Sequence, residues 1–482
     1  MAPLITPKVK PRVIIHGGAG NIRRESMSTE QYQQYRRSLL SIVTSTDVYM
    51  RAPKGAAGKY PPSGPEFPSA LEIATYAVVR LENDPLFNSG HGAVFTRDGI
   101  NELEASVMVS RGFAKRGVGV TGVRTVKNPI LLAKAMLEHG ERDLIGNTDL
   151  GWVANEQLEN EAGDVGRDVP SAQGHTLVHG QTAETLARSY GLEMVDPSYY
   201  FTQKRWDEHV RGLEKEKRKT GSATWSIDEY IPQGTCGTVA LDENGILCVA
   251  TSTGGMTNKL TGRIGDTPVV GAGFWAEEWT EKADPSMNKA RPTEGAWKIL
   301  KGYLEIPGPM VELSSTLRTF LADCLPTPFM YSPISPSAAS CRNRARATDV
   351  EIIRSTAVSG TGNGDSFLRV AAARSVASIA RWTGVPSSEA VNRIVGCGGE
   401  LEKSAGSRWG KTGEGEGGMI GIECGIAVDK SGRVLSVRSE ILQDHNCAGM
   451  FRAWIRDDGL PEMKIWYGDE GVHSILDDKY TR

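Results

Sequence analysis

Near the middle of the chain, Gly234-Thr235 runs into a strand-like segment, Cys236 to Asp242. It turns at Glu243-Asn244-Gly245, returns as Ile246 to Thr251, and is followed by Ser252-Thr253-Gly254-Gly255. Two short runs rich in β-branched and apolar residues, joined by a tight turn, predict a β-hairpin. The chain must therefore place a threonine at the head of a central strand pair. An internal threonine is a weak nucleophile, but at a new N-terminus its own α-amine can serve as the base that activates it. Thr235 is read as such a residue, released by self-cleavage at Gly234–Thr235. The ordinary alternative is a strand threonine kept for β-propensity and packing. Thr253 lies where one hairpin can fold it back beside Thr235, its hydroxyl within reach of the freed amine or the nucleophilic oxygen. A structural turn is its competing role.

With 482 residues the chain can form one large domain or two to three ordinary ones. Its net charge of −3 and lack of a long basic run argue against a nucleic-acid partner. The absence of a stretch of about 18 apolar residues predicts no membrane span. Residues 1–7 lack an apolar signal core. The seven cysteines are scattered without a Cys-x-x-Cys pair, so neither zinc ligation nor a disulfide framework is expected, and a reduced, cytoplasmic setting is. Many of the 55 glycines fall in short clusters, which suits tight loops around a site.

Along the chain, Arg12 to Ile15 reads as a buried strand ending in His16-Gly17-Gly18-Ala19-Gly20, and Gln31 to Met50 as a helix. Residues 52–68 read as a loop insertion. Ser69 and Glu72 have capping-box spacing, and Leu71, Ala74, Val78 and Leu81 share one face of the helix that follows. A further helix is expected from Pro129 to Gly140. Residues 197–233, with the charged run Glu214 to Lys219, read as a solvated helix or mobile linker before Thr235. A second hairpin is expected from Gly425–Val428 and Arg433–Val437, one long helix over Asp365–Thr383, and another helix from near Pro386. Residues 280–350 read as a partly disordered insertion. Strands in two groups with helices before and after predict layered α/β packing.

Three loops invite a chemical reading. Gly262-Arg263-Ile264-Gly265-Asp266 sets a cation and an anion three residues apart, able to grip the α-carboxylate and α-amine of an amino acid. A surface ion pair is the plain alternative. Ser359 to Asp365 is a glycine-rich loop entering a helix, where backbone N–H groups can hold an oxyanion. It lacks the Gly-Lys-Ser/Thr ending of a phosphate loop. Leu81 to Gly92 is a turn-rich loop whose carbonyls suit a small hard cation.

Together these segments resemble the plant-type asparaginase/isoaspartyl peptidase family of N-terminal nucleophile hydrolases. The likeness rests on His16-Gly17-Gly18-Ala19-Gly20, the region Leu86 to Asp98, the block Ala250 to Leu260 leading into Gly262–Asp266, and Gly449 to Trp454. The resemblance implies an α/β fold, a four-layer αββα sandwich. It also implies a single-domain precursor cut into an α subunit, 1–234, and a β subunit, 235–482. Thr235 would be the nucleophile, supported by Thr253. Arg263 to Asp266 would bind the substrate's α-groups, with Ile264, Gly265 and Asn363 in the same segments. Thr361 and Gly362 would form the oxyanion hole, Gly364 would add a carbonyl, and Asn88 would face the nucleophile. No cofactor is needed for the chemistry. The carbonyls of Leu81, Glu82, Asp84, Phe87, Ser89 and His91 match the family's structural sodium loop. The substrate would be asparagine or an isoaspartyl dipeptide, and the assembly a dimer of αβ units. Thr361-Gly362-Asn363-Gly364-Asp365 also resembles glycosylasparaginase, which leaves a glycosylated asparagine open as substrate. An unprocessed, silent binding protein is the reading from another class. Asp266, an acid where the threonine-aspartase type has an uncharged side chain, disfavours that endoprotease.

Overall fold

The computed structural model describes residues 9–54, 66–113, 116–145, 171–218, 234–282 and 350–468. The expected insertions at 52–68 and 280–350, and the end of the expected linker, lie largely outside them. The chain divides into two units. One comprises Met1–Trp279, Ile353–Ile426 and Val434–Arg482; the other comprises Thr280–Ile352 and Ala427–Arg433. The second unit's described part is strand ends and a turn in which Asp429 accepts the N–H groups of Ser431 and Arg433. The hydrophobic cores and the site described below belong to the first unit.

Strand β1, Arg12–Gly20, is buried throughout after Arg12. Helix α1, Thr29–Arg51, and helix α2, Ala70–Asn83, both open with capping boxes, Ser28 with Gln31 and Ser69 with Glu72. Leu71, Ala74, Val78 and Leu81 of α2 are all buried, as their spacing predicts. Next come β2, Leu103–Val109, and β3, Gly117–Val123, then helix α3, Pro129–Ile145. This helix runs on past Gly140. A helical glycine costs about 1 kcal/mol, which the buried stripe Ile130, Ala133, Met136 and Leu137 offsets. Strand β4, Leu177–His179, and helix α4, Gly180–Ser189, follow.

The stretch read as a solvated helix or mobile linker holds a short 3₁₀ turn, Pro197–Tyr200, and helix α5, Gln203–Lys217, on which Arg205 and His209 are buried. Residues 219–233 lie outside the described residues. Strands β5, Cys236–Leu241, and β6, Leu247–Thr253, form the expected hairpin, pairing Cys236 with Ser252 and Leu241 with Leu247. Asp242 closes its turn by accepting the N–H groups of Asn244 and Ile246.

Strands β7, Phe274–Lys282, and β8, Val350–Gly362, come next. The expected long helix is two: α6, Gly364–Val370, and α7, Ala372–Thr383, broken at Ala371 with φ of 46°. The break turns the first N–H groups of α7 onto the chain before β7. Ala373 donates to Ala272, and Arg374 to Gly271. Helix α8, Ser387–Val395, begins after Pro386, and α9, Glu400–Ala405, follows. The second expected hairpin is longer than predicted, β9 spanning Gly417–Asp429 and β10 Val434–His445. Strands β11, Gly449–Ile455, and β12, Pro461–Lys464, end the described chain's secondary structure.

Among the described residues the strands make an eight-stranded sheet, β12-β11-β1-β5-β6-β2-β3-β4, and a four-stranded sheet, β10-β9-β8-β7. Helices α1, α2 and α3 pack on the larger sheet. Their core includes Leu39 and Val43 of α1, Val78 of α2, Met136 of α3 and Ile15 of β1. A second core joins Val358, Met419 and Leu442 of the smaller sheet to Val376 of α7 and Ile394 of α8. The sheets touch directly. His16 Nε2 lies 2.6 Å from Ser359 Oγ, and Arg12 Nε donates to Ser439 Oγ.

Candidate active site

The site forms where β1, the head of β5 and the end of β8 meet. Beyond Cys236–Ser252, the hairpin register brings Thr235 level with Thr253. A Cβ on residue 234 would lie 2.4 Å from Gly18 Cα, 2.5 Å from Thr361 Oγ and 2.6 Å from Ala19 N, so only glycine fits before Thr235. The same crowding recurs at Gly237, where a Cβ would meet His16 Nε2 and Ser359 Oγ. Burial holds the His16 imidazole down to about 3, against a weaker opposing bond with the Thr235 backbone, so the ring is neutral near pH 7.

Thr235 is buried, and its hydroxyl lies 2.9 Å from that of Thr267. The Thr267 carbonyl in turn accepts from Ser106 Oγ at 2.6 Å, which fixes the turn in place. Thr253, expected to touch the nucleophile, uses its hydroxyl otherwise. It accepts from Gly255 N–H at 2.9 Å and from Asn88 Nδ2 at 3.4 Å. Asn88 also donates to the Gly255 carbonyl, while its Oδ1 accepts from Val94 N–H, so it stands behind Thr253 rather than on the cavity wall.

The cation–anion turn is built by two carboxylates of the neighbouring strand. Glu102 Oε2 accepts Gly262 N–H at 2.7 Å, and Glu104 Oε1 accepts Gly265 N–H at 3.2 Å. Arg263 is aimed across the cavity and bonds Asp365 at 2.9 Å. A Cβ on Gly364 would lie 2.6 Å from Asp266 Oδ1 and 3.2 Å from Arg263 Nη2, so the two charges and this glycine converge. Burial pushes the Asp266 carboxyl up to about 7, with Arg263 opposing. Its Oδ2 is a buried acceptor with no partner among the described residues. Such an orphan is costly unless a ligand donor fills it. Ile264 is one-third exposed and does not line the cavity; Gly265 does.

Gly362, with φ of 143°, has no room for a Cβ, which would lie 2.4 Å from the Glu416 carbonyl. Asn363 caps α6 through Ser366 N–H at 3.0 Å. The Thr361 hydroxyl, buried beside Gly234, has no partner among the described residues and is a free donor at that peptide. Thr235, Thr253, Arg263, Gly265, Asp266, Gly362, Asn363 and Gly364 line one solvent-open cavity of about 1120 Å³.

In the loop expected to hold a cation, the Leu81, Asp84 and Ser89 carbonyls accept the N–H groups of Asp84, Phe87 and Gly92. The Glu82 and Phe87 carbonyls close on Gly90 and Gly92, where a Cβ would lie 2.2 and 2.1 Å away. The ring of His91 bonds the Tyr199 carbonyl. The Glu82 carboxyl, raised by burial to about 7, is turned away toward Ser252, Asn128 and Ile130.

Three contributors were not singled out from the sequence: Thr267, Glu102 and Glu104. The two acids carried a signal, since Glu102-Leu103-Glu104 puts two carboxylates on one face at the start of an apolar strand.

The chain is similar in sequence to known proteins. The family model described as Asparaginase matches residues 9–158 and 147–281. The isoaspartyl peptidase of Escherichia coli (strain K12) is 35% identical over 267 residues, covering 55% of this chain and 68% of that protein. The plant-type L-asparaginase of Pyrococcus furiosus is 32% identical over 274 residues, covering 55% and 70%. The isoaspartyl peptidase/L-asparaginase of Macaca fascicularis is 30% identical over 270 residues, covering 56% and 68%.

Proposed function

Because the chain belongs to the asparaginase family, we propose that it hydrolyses the side-chain amide of asparagine and the β-peptide bond of isoaspartyl dipeptides, with Thr235 as nucleophile after self-cleavage at Gly234–Thr235. The observation that carries this reading is the shared cavity. One wall offers a threonine hydroxyl, and beside it a guanidinium and a buried carboxylate oxygen without a partner among the described residues await a carboxylate and an amine. In the first step Thr235 Oγ attacks the Gly234 carbonyl and the peptide nitrogen leaves as the new α-amine; water then hydrolyses the resulting ester, giving the Gly234 carboxylate and restoring the Thr235 hydroxyl. The free Thr361 hydroxyl beside that peptide supports an oxyanion role.

In turnover the amine takes the hydroxyl proton, Oγ attacks the β-carbonyl carbon, and the C–N bond breaks as the leaving nitrogen is protonated. Water then cleaves the β-aspartyl ester. Arg263 holds the α-carboxylate bidentately and Asp266 the α-ammonium. The contacts of Asn88 support a positioning role through Thr253 and Gly255.

The reading includes a four-layer αββα sandwich, supported by helices on the larger sheet, the direct sheet-to-sheet bonds and the second helical core. It includes a cytoplasmic setting and a dimer of αβ units. It also includes a structural sodium ion held by carbonyls of the 81–91 loop, the oxygen ligands such a hard cation prefers, which would tie the loop carrying Asn88. Among the described residues, no helix is long and apolar enough to cross a membrane.

N-terminal sequencing after heterologous expression tests the assignment, together with Thr235→Ala. We expect a fragment beginning at Thr235 in the parent, and neither cleavage nor hydrolysis in the variant. Normal processing of Thr235→Ala would refute it.

A further inference from the structure

The clamp and nucleophile occupy only part of the cavity. Asparagine releases ammonia, which asks nothing of the far wall. Yet the lining of the cavity continues to Asn21, Arg23, Gly410, Gly413 and Glu416. Of these, Arg23 is the cation. It comes from the segment just after β1, whose Ala19 packs against Gly234. Arg23 is exposed and lines the cavity, and among the described residues its guanidinium makes one bond, Nε to Asn21 Oδ1 at 2.8 Å. Among those residues its two other guanidinium nitrogens keep donors for a ligand. Glu416, half-buried, lines the same cavity and feels the Arg23 charge. Burial raises that carboxyl and Arg23 opposes the rise. Neither residue bonds the Arg263–Asp266 clamp, so this wall is a separate charged surface in the same cavity.

Resting on the functional reading above, we propose that Arg23, positioned by Asn21, binds the α-carboxylate of the leaving residue of an isoaspartyl dipeptide, and that the dipeptide rather than free asparagine is the substrate the cavity is shaped for. The dipeptide has two carboxylates, one at each end. Arg263 takes that of the aspartyl half. When Thr235 bonds the β-carbonyl carbon and the C–N bond breaks, the departing amino acid still carries the other. A planar fork with free donors is the group that recognises it. Glu416 competes for the same guanidinium, and as an anion on this wall it disfavours acidic leaving residues.

The test compares asparagine, isoaspartyl-alanine and the C-terminal amide of isoaspartyl-alanine, which lacks the second carboxylate. In the parent enzyme kcat/KM for the dipeptide should exceed that for the amide by about tenfold, the scale of a charge-assisted bond at an accessible site. In Arg23→Ala that preference should vanish, while Arg23→Lys should restore part of it. Glu416→Gln should widen it. Asparagine turnover by each variant reports whether nucleophile and clamp still work. If Arg23→Ala hydrolyses asparagine yet keeps the parent's preference for the dipeptide over its amide, the inference falls alone. If dipeptide, amide and asparagine lose equally, Arg23 supports the fold and not the leaving residue, and the inference also falls. If the processed parent hydrolyses none of the three, the functional reading itself has failed.

Discussion

In its proposed role Asp266 must be an anion to hold an ammonium group, yet burial pushes its carboxyl up to about 7, so the proposal makes activity sensitive to mild acid. Below that value Asp266 is neutral and its attraction for the substrate amine is lost. The sign is therefore a rise of kcat/KM with pH through about 7. The freed Thr235 amine, with a reference value of about 7.7–8.0, must also lose its proton and adds to the same limb. A pH profile of kcat/KM for asparagine should show this rise; a profile flat from about pH 5 to 9 would contradict both roles. Thr267 makes a second case. Its hydroxyl is the recorded partner of the Thr235 hydroxyl. Thr267→Val should slow kcat roughly fivefold to tenfold, the worth of one buried hydrogen bond of about 1 kcal/mol, with KM little changed. Thr267→Ser should recover it, and an unchanged kcat in the valine variant would remove Thr267 from the site. Neither consequence was readable in the chain. Hairpin spacing pointed to Thr253, because a register can be counted from a turn. Thr267 arrives on an irregular stretch after Asp266, whose path no periodicity gives.

Helix α5 and the loop after α2 show how elements far from the chemistry hold it. Arg205 of α5 is buried, donates through Nε to the Gly92 carbonyl at 2.9 Å and through Nη2 to that of Leu86 at 3.4 Å, and pairs with Glu208 at 3.0 Å. Those carbonyls flank Asn88, whose amide holds Thr253 and Gly255. Arg205→Met should leave polar groups buried without that donor and cost about 2–3 kcal/mol. Chemical denaturation reads this as a lower midpoint, and a midpoint equal to the parent's would refute it. The sequence showed this helix only from its wet side. The run Glu214 to Lys219 announced solvent, whereas the inward face is Arg205 and His209, polar residues that leave no apolar stripe. The capping box of α2 and the β5–β6 hairpin were readable because both are local. The break at Ala371 was not, because it is set by the carbonyls of Gly271 and Ala272, a hundred residues back in the chain.

At the scale of the whole molecule the proposal predicts one cut, giving fragments of 234 and 248 residues from the 482-residue chain, too alike in size to separate cleanly on a denaturing gel. The topology offers a sharper version. Strands β7 and β8 are neighbours in the smaller sheet, and Gly360 N–H donates to the Gly273 carbonyl at 2.7 Å. Residues 283–349 are thus an excursion between adjoining strands. Every residue given a catalytic or binding role lies outside that excursion. Replacing 283–349 by a short glycine-serine linker should therefore preserve self-cleavage, since the entropic cost of joining two strands changes only slowly with the length of the connection. The β fragment alone should shorten by the deleted length, so the two products part on the gel and each can be sequenced. Asparagine turnover should persist. A soluble variant that stays uncut would mean that the excursion supplies part of the machinery that frees Thr235.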